Sequence, residues 1–467
     1  MDGTEQTEGA PSFQKEGGPA VEGPLWRAYL RFLGPMVLAN ILQAASGTIN
    51  NIFLGQMLGV KALAAVAGFF PIQFFFIAFI IGLGAGASVL VGQAWGAREP
   101  ERIKAVAGSA GTVTFLAGLI VAVFGIVFAR QLLMWLGTPA DILGDAIDYA
   151  HIVLIALPAL FVFLLWTSML RGVGDTVTPL IALGVATGVG LVLTPLLIKG
   201  WLGLPPMGVR SGAIANIVST LVTLSWLAWR LRRRHHPLAP DGELLAHLKI
   251  DPGLLKLILR IGLPGGVQMI VVSLSEVAVL FLVNRFGSAA TAAYGAVNQV
   301  MSYVQFPAIS ISITASILAA QAIGAGRTER LGPITRTGYL MNLCLTGSLI
   351  TIAYLLSRPL IGLFIKSPEV TEMALTLLHI ILWSTIIFGL AGVTAAVMRA
   401  SGEVMVPTGI SIFSIAAIQV PLSWWLSLRM GINGVWVAYP IAFTAMFVMQ
   451  AAYYRLVWMR KEIKRLI

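Results

Sequence analysis

From about position 30 onward, long apolar runs alternate with short polar breaks. Each run holds about two dozen residues, enough for a helix to cross a bilayer core of roughly 30 Å. The runs fall near 32–55, 64–91, 107–129, 147–170, 179–201 and 212–230, then 261–285, 292–320, 337–357, 373–398, 406–428 and 434–454. Apart from one carboxylate, the charges sit between the runs or at their ends, as expected where a charge in lipid is costly. The pattern predicts an all-α membrane protein of twelve transmembrane helices. A polar, basic stretch after Arg230 separates two sets of six. The expected organisation is a disordered cytoplasmic tail at 1–24, a six-helix lobe at 25–230, a cytoplasmic linker at 231–258 and a second six-helix lobe at 259–467.

Composition agrees with this pattern. The chain is 57% hydrophobic and 11% charged, with a mean hydropathy of +0.87; soluble domains are nearer one-quarter charged. A net charge of +11 could mark a nucleic-acid binder, but basic cytoplasmic loops explain it better in so apolar a chain. If both ends lie in the cytoplasm, eight of the 31 basic residues fall outside: Lys61, Arg130, Lys199, Arg210, Arg285, Arg358, Lys366 and Arg429. That bias predicts a multi-pass protein of the cell inner (cytoplasmic) membrane with both termini cytoplasmic. The polar start lacks the basic and short apolar regions of a secretory signal. The single cysteine, Cys344, excludes an intrachain disulfide and a cysteine-rich metal site.

The two halves repeat. RGVGDTVTP at Arg171–Pro179 matches RASGEVMVP at Arg399–Pro407, 228 positions later. The same offset pairs Gln93, Gly96 and Ala97 with Gln321, Gly324 and Ala325, Gly59 with Gly287, and His151 with His379. Pro35 pairs with Pro264 after a one-residue slip. Six spans per repeat is an even number, so both halves share one orientation. They should be related by an axis along the membrane normal, with a cavity between the lobes.

Candidate chemistry is sparse, which sharpens it. The stretch Gly262–Gly287 carries one carboxylate, Glu276, within an apolar run. An ionisable group at such a depth is costly and marks a functional site by default. In the first span Asn40, Gln43, Gly47 and Asn50 fall on one helix face. That stripe reads equally as a cavity wall or as interhelical hydrogen bonding. Gln268, Asn298, Gln299 and Tyr303 extend the same two readings into the second half. Trp166 and Trp383, flanked by polar residues, are the aromatics best suited to face a cationic ligand. His151 and His379 are candidates for a proton relay, since imidazole titrates near neutrality; their shared position is equally explained by duplication. Arg171 with Asp175, and Arg399 with Glu403, are expected to form ion pairs at the cytoplasmic ends of their helices. GLGAGAS at Gly82–Ser88 lacks the lysine of a phosphate-binding loop and reads as close helix packing. There is no Walker A sequence, no HExxH and no metal-ligand cluster. An enzyme, a bound cofactor and an ATP-driven pump in this chain alone are therefore not expected.

Several features together resemble the MATE (multidrug and toxic compound extrusion) family. They are the first apolar run with Pro35 and Gly55, the GxxxLAAV loop at Gly59–Val66, GQAWGARE at Gly92–Glu99, both Arg-to-Pro loops and Asn298-Gln299. The resemblance covers nearly everything after the tail. It implies an antiporter that exports organic compounds while protons or sodium ions enter; the aromatics and the single carboxylate suit cationic or amphipathic ones, and a monomer in the lipid bilayer is expected. The chain also departs from the family. Asn50 stands where many bacterial members carry an aspartate, no acid occurs between Leu377 and Met398, and Glu276 lies about one turn later than in some relatives. Coupling is then expected to rest on Glu276, with H+ favoured over Na+. The alternative is a lipid-linked precursor flippase of the same superfamily. It is disfavoured because no Lys or Arg lies in the middle of a span.

Overall fold

The computed structural model describes residues 23–201 and 205–467. The expected tail lies outside these residues except for Gly23 and Pro24. The described residues contain twelve helices long and apolar enough to cross a membrane. They are α1 (Leu25–Leu58), α2 (Val60–Gly96), α3 (Pro100–Trp135), α4 (Leu143–Gly172), α5 (Val177–Lys199) and α6 (Arg210–Arg233). The second six are α7 (Pro252–Asn284), α8 (Ser288–Gly324), α9 (Leu331–Leu355), α10 (Pro368–Ala400), α11 (Met405–Met430) and α12 (Ile432–Leu456). Each expected span lies within one of these helices, or runs past its end by a residue or two. Most run further into the interfacial zone, because polar loop residues still tolerate helix there. No strand occurs among the described residues.

The repeat is visible in backbone detail. Helices α2 and α8 are both 37 residues long. Each is preceded by a glycine in the left-handed half of conformational space, Gly59 with φ 88° and Gly287 with φ 95°. That backbone favours glycine because it has no Cβ to clash. The contacts between halves are reciprocal. Gln93 Nε2 donates to Ala400 O at 2.8 Å, and its mate Gln321 Nε2 donates to Gly172 O at 3.0 Å. Gly96 lies against the backbone of Gln321 just as Gly324 lies against that of Gln93. Each member of a pair thus contacts the partner's surroundings in return, as a two-fold axis requires. Both pairs sit at the C-terminal ends of parallel helices, so the axis runs along the bundle, as the even span count predicts.

The end of the bundle carrying Leu25, the α2–α3, α4–α5, α6–α7, α8–α9 and α10–α11 connections and the chain's C-terminal residues is called the basic face. There the halves close tightly. Besides the glutamine pair, Gly82 and Gly86 of α2 lie against Gly262, Gly266 and Ile258 of α7 at backbone contact. Small residues allow helix axes this close an approach. The C-terminal segment adds a strap: Leu466 N donates to Gln93 Oε1 at 2.9 Å, and Arg465 pairs with Glu99 at 3.4 Å.

The linker also docks on the basic face. A short helix, Gly242–Ala246, is capped by Asp241, which accepts from Leu244 N at 2.9 Å. Lys104 pairs with both Asp241 and Glu243. His236 is buried, and its Nδ1 accepts from Leu238 N at 3.1 Å. Burial pushes this imidazole down to about 4, and a buried neutral ring must take a proton on release. An undocked linker binds that proton below its ordinary value of about 6.5, whereas the docked one excludes it. Docking is therefore at full strength above pH 6.5 and weakens as pH falls toward 4. Amide protection across residues 234–250, taken relative to the intrinsic exchange rate at each pH, should fall over that window. His236→Phe should flatten the response, and an unchanged pH dependence in that variant would contradict the assignment.

Candidate functional site

Glu276 sits roughly 36 Å along α7 from its basic end, at 1.5 Å per residue. The structure gives it two partners that the sequence does not place beside it. Tyr294 of α8 donates its hydroxyl to Glu276 Oε2 at 2.6 Å, and Tyr439 of α12 donates to the same oxygen at 3.2 Å. The two hydroxyls are 3.1 Å apart. Both tyrosines are buried, and Tyr294 stacks on the buried Trp436 with ring centroids 5.5 Å apart. Asn298 lies beside the Tyr294 hydroxyl. Three helices thus hold one half-buried carboxylate in fixed hydroxyls. No salt bridge to Glu276 is formed among the described residues, so its charge is unneutralised by protein. The first half lacks the arrangement: Val66 and Ser211 stand where the repeat would place Tyr294 and Tyr439.

The first half has a different cavity, about 270 Å³, between α1, α4, α5 and α6. Gln43, Asn50, Thr187, Asn216, Ser219 and Thr223 are among its lining residues, and no ionisable group lines it. Thr187 Oγ1 and Ser219 Oγ are buried there without a protein partner. The wall can therefore hydrogen-bond a ligand or water but cannot exchange a charge.

The remaining candidates separate. Asn40 does not join this wall; its Nδ2 donates to Ser310 Oγ of α8 at 3.2 Å, bridging the halves. Beyond that bridge α1 and α8 part. Gln43, Gly47 and Thr48 are exposed on one side, Gln299 and Tyr303 on the other. Thr48, Gln299 and Tyr303 line the same cleft of about 500 Å³. Gln268 lines a third cavity, toward the basic face, of about 250 Å³. Trp166 donates its indole N–H to Leu238 O of the linker at 3.1 Å, and lines none of these three spaces. Trp383 is exposed at the break between the two segments of α10. His151 Nε2 lies 3.2 Å from Ile126 O, and the His379 ring packs on Tyr354 at 5.3 Å; the structure does not connect either to Glu276.

One sequence expectation is corrected. Arg399 does not pair with Glu403, which instead bonds Lys461 Nζ at 2.6 Å. Arg171 does not pair with Asp175 either. It donates to Ser168 Oγ at 2.9 Å, while Asp175 caps α5 by accepting from Thr178 N at 2.9 Å. The turns at Gly174 and Gly402, with φ 92° and 86°, reverse the chain and carry each acid away from its arginine.

Two lobes closed at one face, parted at the other and enclosing polar cavities in a twelve-helix bundle define a membrane transporter of small molecules. The MatE family model matches residues 35–196 and 264–425, once in each half, and the chain belongs to that family. A probable multidrug resistance protein of Bacillus subtilis, YoeA, is 44% identical over 97% of this chain and 98% of its own length. A second from the same organism, YpnP, is 26% identical over 93% and 96%. Among solved structures, the outward-facing conformation of a multidrug resistance MATE family transporter of the MOP superfamily superposes with a TM-score of 0.86. It is 22% identical, over 94% of this chain and 97% of that one, which establishes the fold. The protein is a multi-pass transporter, not an enzyme.

Proposed function

We propose that this chain is an antiporter that exports cationic or amphipathic organic compounds in exchange for protons, with Glu276 as the coupling group. The observation that carries this is the lone membrane-embedded carboxylate held by Tyr294 and Tyr439 and lacking a basic partner. An ionised Glu276 attracts a cation; a protonated one does not. Substrate and proton then compete for one group, which is sufficient for exchange when only loaded states cross the membrane. Hydroxyls that already donate to the carboxylate favour proton over sodium, which needs several oxygens free to accept it. The multidrug resistance relatives support the substrate class. The bias of Lys and Arg toward the basic face supports its assignment to the cytoplasm and the organisation of the chain as two lobes joined by a cytoplasmic linker. On that assignment the described state is open outward, and the cleft beyond Asn40 and Ser310 is the exit path. Reconstituted vesicles loaded with ethidium, given an imposed pH gradient or an imposed sodium gradient, test the reading. Transport driven by sodium alone would overturn proton coupling.

The uncharged first-half cavity has a separate role in this scheme: it holds polar parts of a substrate without sensing protons. Asn50→Leu should slow efflux of hydrogen-bonding substrates several-fold and leave purely apolar cations unaffected, at unchanged thermal stability. Reduced stability with an unaltered substrate profile would make Asn50 a packing residue.

A further inference from the structure

The third cavity contains a charge that the antiport scheme does not use. Arg399 lines it from the last turn of α10. The repeat makes Arg399 the mate of Arg171, but Ala396 stands where Ser168 supplies Arg171 with an acceptor. Glu403 is engaged by Lys461. Among the described residues the Arg399 side chain has no hydrogen bond and no ion pair. A guanidinium carries five N–H donors and cannot shed its charge, so leaving it without an anion away from bulk water is costly.

The surroundings supply what a bound anion needs beyond the guanidinium. Ser88 and Ser316, mates in the repeat, line the cavity from α2 and α8. Gln268 lines it from α7. Gln450 of α12 is buried and its Nε2 is engaged by Pro407 O and Ser411 Oγ, so its unpartnered Oε1 can only accept, from a water or from a protonated oxygen of the anion. No acidic residue lines the space. A volume of about 250 Å³ falls below the usual range for drug-sized ligands and suits a compact group.

We infer that this cavity is an oxyanion site, in which Arg399 binds a phosphate, carboxylate or sulfonate assisted by Ser88 and Ser316. The anion is either a free solute or the headgroup of an anionic lipid; both present oxygens that match the guanidinium fork. Because Ser88 belongs to the first half and Arg399 to the second, a bound anion bridges the lobes. It favours the state closed at the basic face. The inference does not depend on proton coupling at Glu276.

The test uses the full chain in nanodiscs. In phosphatidylcholine discs, inorganic phosphate is titrated at ionic strength held with sodium chloride, and the melting midpoint is followed. In parallel, discs containing phosphatidylglycerol are compared without phosphate. Stabilisation by phosphate in phosphatidylcholine discs identifies a free anion; stabilisation only by phosphatidylglycerol identifies a headgroup. In either case Arg399→Gln should weaken the response roughly tenfold or more, the loss expected for a charge-assisted pair of about 1.4 kcal/mol. Arg399→Lys should retain part of it. Should Arg399→Gln fail to fold, the double variant Ser88→Ala with Ser316→Ala decides, with a several-fold weakening expected. Equal midpoint shifts in wild type and variants, or no response in either series, would overturn the site.

Discussion

Glu276→Gln abolishes gradient-driven efflux while leaving the protein assembled. The amide has nearly the shape of the carboxylate, and its oxygen still accepts from Tyr294 and Tyr439, so no buried hydroxyl is orphaned. What it loses is the change of charge. Without that change, loading by cation and loading by proton no longer exclude one another. A pH gradient then has nothing on which to act. Vesicles carrying the variant should show only background leak of ethidium under an imposed pH gradient, and the variant's melting midpoint should stay near that of wild type. Glu276→Asp keeps the charge but draws it back by one methylene from the tyrosine hydroxyls, and should retain part of the rate. Wild-type transport by the glutamine variant would remove Glu276 from the mechanism. Loss of transport together with loss of folding in the glutamine variant would be a structural effect, and the aspartate variant then separates the two.

The frame around this site was legible because it rests on local physics. Apolar length fixes the spans, and an arginine, an acid and a proline in register fix the repeat whatever lies between them. Glu276 was legible for the same reason: a carboxylate in an apolar run is visible in one dimension. Its partners were not. Tyr439 lies 163 positions from Glu276, and which faces of α7, α8 and α12 meet depends on helix rotation and axis separation. A spanning helix that is apolar on most sides reveals neither. Arg399 and Glu403 show the opposite error. Four residues apart, they look like a pair, but they flank a helix end where Gly402 turns the chain. The true partner of Glu403 is Lys461 in the C-terminal segment. Trp166 failed similarly: a linker that looked only polar and basic folds back and occupies its indole N–H. The stripe on α1 divided because Asn40 lies where the halves still touch, while Gln43 and Asn50 lie beyond the point where they part.

The seam at the basic face governs the second large effect. Gly324→Val should stop transport and drive the lobes apart on that side. A Cβ at Gly324 would collide with the backbone of Gln93, and one at Gly96 with the backbone of Gln321. Side-chain rotation cannot relieve such a clash, so one helix must move. Overpacking of this kind costs about 1–3 kcal/mol. That cost falls only on states in which the seam is closed, because α2 and α8 lie in different halves. About 2 kcal/mol shifts a two-state equilibrium roughly thirtyfold. It would also strain the Gln93–Ala400 and Gln321–Gly172 hydrogen bonds that close the same face. Cys344 is the single cysteine, so Cys344→Ser provides a clean background for labelling. In that background a cysteine at Ser316 should react slowly from the basic face, and far faster once Gly324→Val is added. Gly332, in α9 with no atom near a built Cβ, gives the control: Gly332→Ala should leave both labelling and transport unchanged. If Gly324→Val transports normally with unaltered labelling at Ser316, closure of this seam is not a step in the cycle.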